Sequence, residues 1–298
     1  MTNNNNQIAP LQLGAIVPAN LKGPLILVLA AVCIGLAPIG LRFSTMEPTI
    51  TAVWRFVFAV PVLVVAAFIF KQPIGRPNKA LIAAGVFFSL DMCFWHLALV
   101  RTSVANATFF VNLGSVAVGL AAWLVLKQRP SISWPVAALL ATAGAAAMAF
   151  GASEDSASDL TGDSLALIAA ACITGYLLFA TIARSSVSGF QAIFWITISA
   201  IPVGLIFALI LGEEIFPHHY SDFAAPLFLA FFAQALGQGL LVYGVGLTTP
   251  SIGGVILLIQ PVIAGLIAWP LFGEELALIQ MAGAALILFG VWLAGKGK

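Results

Sequence analysis

Ten stretches of about 20 mainly apolar residues, each long enough to cross about 30 Å of hydrocarbon as a helix, divide this chain almost from end to end. They run approximately 22–44, 48–71, 78–100, 103–126, 131–151, 162–183, 189–212, 221–246, 249–271 and 275–295. A segment in lipid must satisfy its backbone internally, so stretches this long and apolar are expected to be helices. The composition agrees: 61% of residues are hydrophobic and 8% charged, against about 25% charged in soluble domains. Mean hydropathy is +1.09. The expected class is therefore an all-α integral membrane protein with ten transmembrane helices. A net charge of +1 offers no basic excess for a polyanion, so no nucleic-acid partner is expected. Cys33, Cys93 and Cys172 all lie in apolar stretches and read as small hydrophobes. Neither a metal site nor a cofactor is expected.

Charge placement orients the helices. One side of the alternation carries Lys22, Lys71, Arg76, Lys79, Lys127, Arg129, Arg184, Lys296 and Lys298, with no carboxylate. The other carries Glu47, Glu154, Asp155, Asp159, Asp163, Glu213, Glu214, Asp222, Glu274 and Glu275, with Arg42 and Arg101 as its basic residues. Lys and Arg concentrate in cytoplasmic loops, so both termini are expected in the cytoplasm, with the protein in the inner membrane. An odd number of spans would scramble this separation. The Asn-rich head, 1–21, lacks a basic region and cleavage motif and reads as a polar cytoplasmic tail.

The second half repeats the first. Thr102 falls on Thr248, the run Gly119, Leu120, Ala122, Trp123 falls on Gly265, Leu266, Ala268, Trp269, and Ala138, Leu140, Gly144 fall on Ala284, Leu286, Gly290. At slightly different offsets Ala30, Ala31, Cys33 and Ile34 meet Ala169, Ala170, Cys172 and Ile173, while Trp54 and Pro61 meet Trp195 and Pro202. The expected organisation is a five-helix repeat over 22–151, an acidic outer linker at 152–161, and a second repeat over 162–298. Five is odd, so consecutive copies must have opposite orientations in the membrane. Such two inverted-topology five-helix repeats give a transporter two related gates. The alternative is duplication kept for packing.

The second copy reads Gly246-Leu247-Thr248-Thr249-Pro250-Ser251, then Gln260-Pro261, Ala268-Trp269 and Gly273-Glu274. The first reads Ala98-Leu99-Val100-Arg101-Thr102-Ser103, Ala122-Trp123 and Lys127-Gln128, with Ser115 in place of the Pro and Gln128 in place of the acidic residue. This pattern resembles the EamA-type family of the drug/metabolite transporter superfamily. The resemblance implies ten helices with both ends cytoplasmic and export of small metabolites. Its amino-acid exporters, including those for aromatic amino acids, are nearest in character, and substrate identity comes from the resemblance alone.

Ionisable groups at membrane depth are costly and usually face a partner or a wet cavity. By helix rise, Arg55 lies about 9 Å, His96 about 8 Å and Asp91 about 15 Å below the outer boundary. Arg55 and Asp91 are candidates for either an ion pair pinning the second span to the third or a direct part in transport. His96 is a candidate proton carrier or a satisfied buried imidazole. Asp91 is the alternative coupling carboxylate. Trp95 offers a stacking surface. Asn112, Tyr176, Gln234, Gln238, Tyr243 and Gln260 supply neutral polar groups that suit a substrate site, or interhelical hydrogen bonding. Pro38, Pro61, Pro202 and Pro261 are candidate kinks, as hinges or as static shape. Small residues at 137–151 and 282–290 permit close helix contact within a half or between protomers, so a homo-oligomer is an open expectation.

No His-Glu-x-x-His, Gly-x-Ser-x-Gly or Gly-x-x-x-x-Gly-Lys-Ser/Thr motif is present, so no enzyme activity or ATP-driven pumping is expected. The partners expected are the bilayer and a small-molecule substrate, with proton-coupled and facilitative transport both left open. The reading is a secondary transporter working by alternating access. A facilitative channel-like carrier is the alternative, and an intramembrane lipid-processing enzyme a distant one.

Overall fold

A computed structural model describes residues 19–99, 101–102, 104–150, 159–273 and 276–296. Nine of its helices are long and apolar enough to cross a membrane, and a tenth, Trp134–Phe150, is apolar but shorter. We number the spans α1 to α10. Four are continuous in the first half: α2 (Pro48–Ile69), α3 (Lys79–Leu99), α4 (Val104–Leu126) and α5 (Trp134–Phe150). Three are continuous in the second: α6 (Leu160–Arg184), α7 (Gly189–Leu211) and α10 (Leu278–Lys296). The other three are built from pieces. They are α1 (Ala19–Gly35 and Ala37–Arg42), α8 (Ala224–Phe228, a π segment Leu229–Gln238, then Gly239–Val245) and α9 (Pro250–Leu257 and Gln260–Phe272). Each span falls within a few residues of its expected position. Most of the acidic outer linker, the first 18 residues, and Glu274 and Glu275 lie outside the described residues.

Local sequence sets the ends. Asp159 caps α6 by accepting from the Thr161 amide at 3.0 Å, and Ser188 caps α7 by accepting from Gln191 at 3.1 Å. Gly212 closes α7 at φ 73°, a left-handed backbone that only glycine adopts without strain. Pro48 and Pro250 open α2 and α9, where a missing amide hydrogen costs nothing.

Packing follows a twofold rule. α3 lies on α6 as α8 lies on α1; α3 meets α7 as α8 meets α2; α4 meets α6 as α9 meets α1. The remaining principal contacts join counterparts: α2 with α7, α4 with α9, α5 with α10. Swapping the halves therefore reproduces the contact pattern, and because each half holds five crossings, the swap axis lies in the membrane plane.

Individual hydrogen bonds obey the same exchange. The Trp54 indole donates to Ile215 O at 2.7 Å, and the Trp195 indole donates to Ile74 O at 3.1 Å. The offset that carries Trp54 onto Trp195 also carries Ile74 onto Ile215. Each tryptophan thus ties the start of its own helix to the loop that follows the counterpart helix in the opposite half. The α5·α10 contact is equally reciprocal. A Cβ on Gly144 would stand 2.5 Å from Gly283 O, and one on Gly290 would stand 2.8 Å from Ala137 O. The offset from Gly144 to Gly290 carries Ala137 onto Gly283. Without a hydrophobic drive between helices in lipid, such backbone approaches supply the dispersion that holds them.

The loops between the third and fourth span of each half show the relation at the two faces. The 101–102 backbone lies against Gly162 at the start of α6, and the Leu247 backbone lies against Gly23 at the start of α1. On the first of these the Thr102 hydroxyl also donates to Asp163 at 2.8 Å.

Gly144→Ala and Gly290→Ala should each lower thermal stability in detergent, by about 1–3 kcal/mol, because helix backbone must move to admit the methyl group. Gly295→Ala, where nothing lies within 4 Å, should leave the melting temperature unchanged or slightly raised.

Candidate functional site

Three helix irregularities converge at one level of the bundle. Pro38 cannot supply the amide hydrogen that a regular helix would offer to Ile34 O. α1 breaks at Leu36, whose own amide turns back to Cys33 O at 3.3 Å. Pro261 does the same to Leu257 O, and α9 breaks over Leu258 and Ile259, which bond three residues back at 3.2 and 3.0 Å. In α8 the π segment ends at Gln238. Pro61 and Pro202 behave differently: each sits inside an uninterrupted helix. Proline alone does not place a break.

Between these irregularities lies a cavity of about 120 Å³, walled by both halves. Ile34, Gly35 and Pro38 border it from α1, and Leu257, Gln260 and Pro261 from α9. Of the residues expected from sequence, Arg55 on α2, Asp91 and Trp95 on α3, Asn112 on α4, Tyr176 on α6, Gln238 on α8 and Gln260 on α9 all line it. Three others do not. His96 is buried at 5% exposure but follows Trp95 around the helix and is turned off the lining, its Nδ1 without a partner. Tyr243 stands near the far end of α8, where its ring faces the Arg184 guanidinium at 5.8 Å and about half of the residue is exposed. Gln234 is fully buried behind the wall. Gln234 and Gln238, four residues apart in the π segment, therefore do not share the cavity surface.

Arg55 and Asp91, candidates for an ion pair or for a direct part in transport, are not paired. Among the described residues the Arg55 and Asp91 side chains line the same space without an ion pair between them. Arg55 Nε instead donates to Gln234 Oε1 at 3.1 Å, and the guanidinium carbon lies 5.9 Å from the ring centres of Phe56 and Phe88. Both oxygens of Asp91 lack a hydrogen-bond partner, as does the Trp95 indole nitrogen. A buried carboxylate stripped of partners costs several kcal/mol of lost solvation unless something binds to it. Tyr176 donates its hydroxyl to Gln238 Oε1 at 2.7 Å, which leaves the Gln238 amide hydrogens for the cavity. Phe88, Trp95 and Tyr176 give the space aromatic walls.

Reading the sequence alone missed Phe88, Met92, Thr108 and Ile173 on the lining. They are apolar or weakly polar residues among many similar ones, and nothing in their spacing distinguishes them. The break in α1 had a signal, Gly35 followed by Pro38.

Closure differs at the two ends. On the side of the chain termini, α4 and α9 cross so closely that a Cβ on Gly254 would overlap the Ser115 backbone. The Trp134 indole locks this crossing by donating to Ser251 O at 2.9 Å. The void left there is about 10 Å³, room for about one water. On the opposite side the cavity reaches Trp95 and Thr108, about 6 Å from the ends of α3 and α4 by helix rise.

A search of curated proteins finds no match. A solved structure described only as "Crystal structure of protein" shares the fold, with a TM-score of 0.78 at 16% identity over 92% of this chain and 97% of that one. The family model for the EamA-like transporter family matches residues 21–150 and again 160–295. Two copies of one transporter unit thus account for nearly every described helix, and the chain belongs to the EamA-like transporter family.

Proposed function

We propose that this multi-pass membrane transporter exports a zwitterionic amino acid with an apolar or aromatic side chain. The observation that carries the reading is that Arg55 and Asp91 face one cavity without pairing to each other. A zwitterion brings a carboxylate for the guanidinium and an ammonium for the carboxylate, so one bound molecule would satisfy both ends. The aromatic surfaces of Phe88, Trp95 and Tyr176 suit the remaining side chain and any cation beside them. The neutral amides of Asn112, Gln238 and Gln260 add hydrogen bonds without a further fixed charge.

Inverted halves supply the motion. The tight α4·α9 crossing closes the cavity toward the termini, which the Lys and Arg distribution assigns to the cytoplasm. Exchanging the conformations of the halves would open that side and close the other. The contacts of the 101–102 loop on Gly162 and of Leu247 on Gly23 are both made here and map onto each other, so the exchange would keep them, whereas the Trp134 bond to Ser251 O at the closed crossing is one it would break. Proton coupling we assign to Asp91 rather than His96, because Asp91 lines the cavity and His96 does not. Sharing one carboxylate between a proton and the substrate ammonium would link the two flows.

In proteoliposomes, internal unlabelled phenylalanine should accelerate uptake of labelled phenylalanine, as a carrier requires and a continuous pore does not. Arg55→Gln and Asp91→Asn should each reduce phenylalanine transport about 100-fold, the loss that follows when one partner of a buried charge pair is removed. Wild-type rates in both variants would overturn the zwitterion reading. Asp91→Asn should in addition leave residual flux that no longer responds to a pH gradient, whereas His96→Gln should keep the response.

A further inference from the structure

Arg55 owes its aim to groups that never touch the cavity. Its Nε donates to Gln234 Oε1 at 3.1 Å, and Gln234 Nε2 donates onward to Thr197 Oγ1 at 3.0 Å. The direction of this chain is forced: arginine has donors only, so the amide must turn its oxygen to Arg55 and its nitrogen to Thr197. Gln234 and Thr197 are both fully buried, and the chain joins α2, α8 and α7. Occupying Nε fixes the plane of the guanidinium and leaves its outer edge, with Nη1 and Nη2, for the cavity. That edge matches the two oxygens of a carboxylate.

Two further observations separate this arrangement from ordinary packing. Gln234 lies in the π segment of α8, an irregular winding that is rare and frequent at functional sites. The arrangement also breaks the internal symmetry. The offset that superimposes Trp54 on Trp195 places Ile196 opposite Arg55, and Ile196 is fully buried in the apolar core. The fold thus builds the equivalent helix without a cation there, so the polar chain serves the cavity and not the architecture.

We infer that Gln234, held by Thr197, is a positioning residue that sets selectivity for carboxylate-bearing substrates by presenting Arg55 edge-on to the cavity. The inference rests on the zwitterion reading above. Without the amide, the guanidinium swings about its stem and presents no fixed pair of donors. The carboxylate contact weakens, while an amine held by Asp91 and the aromatic walls is unaffected.

The test measures KM and kcat for phenylalanine in proteoliposomes, with the inhibition constant of phenethylamine, the same molecule without its carboxylate. Gln234→Leu should raise KM for phenylalanine about tenfold with little change in kcat, and leave phenethylamine inhibition unchanged. Thr197→Val should act in the same direction, about threefold. Gln234→Glu, which keeps an isosteric acceptor for Nε, should restore KM toward the wild-type value. Equal changes for both compounds, or none, would overturn the inference. If Gln234→Leu does not fold, Thr197→Val decides the matter by the same criterion, with Gln234→Glu as the control expected to stay near the wild type. Arg55→Gln separates the two levels. Loss of discrimination in Arg55→Gln but not in the Gln234 and Thr197 variants rejects the positioning role alone. Unchanged discrimination in Arg55→Gln rejects the zwitterion reading as well, as does a wild type that neither transports phenylalanine nor is inhibited by phenethylamine.

Discussion

Lipid offers no hydrogen bonds to a peptide group, and this one constraint shapes the rest of the protein. It makes every crossing helical, and it confines irregular backbone to places where protein or a wet space surrounds it. The breaks in α1 at Leu36 and in α9 at Leu258–Ile259, and the π segment of α8, obey that rule by meeting around a single cavity. Pro38 and Pro261 are tolerated because the carbonyls they deprive, Ile34 O and Leu257 O, belong to residues on the cavity wall. Pro61 and Pro202 are exposed and do not line that cavity, and their helices run on unbroken.

The twofold relation between the halves is built from contacts too specific to be a by-product of composition. Reciprocal indole bonds from Trp54 and Trp195, and reciprocal backbone approaches at Gly144 and Gly290, hold counterpart helices in equivalent positions. In the alternating access proposed above, exchanging the halves would give the second arrangement. The cavity departs from the symmetry. Arg55 faces Ile196 across the relation, so the charges that would read a substrate come from the first half while Tyr176, Gln238 and Gln260 come from the second. On the reading proposed above, the symmetry serves the motion and the asymmetry serves recognition.

Much of the fold was legible in the residues. Ten spans, their approximate ends, the repeat and the opposed directions of its copies follow from run lengths, from the Trp and Pro matches, and from the oddness of five. The site was legible in part. Arg55, Asp91, Trp95, Asn112, Tyr176, Gln238 and Gln260 stand out as polar or aromatic groups within apolar spans, and all line the cavity. His96, Tyr243 and Gln234 stand out by the same criterion, yet one is turned off the lining, one sits at a helix end against Arg184, and one is buried behind Arg55. Depth can be counted along a helix. Azimuth cannot, because helices apolar all round carry no polar stripe to say which side faces inward.

The sequence by itself determined that this chain lives in lipid as paired five-helix units of opposite direction, because span length and repeat spacing are one-dimensional properties. Tertiary structure decided that Arg55 and Asp91 stay apart, that Gln234 holds Arg55 from behind, and that the cavity closes on the side of the termini. Those outcomes depend on how each helix is rotated against its neighbours, and only the packing of α2, α3, α7 and α8 together sets that rotation.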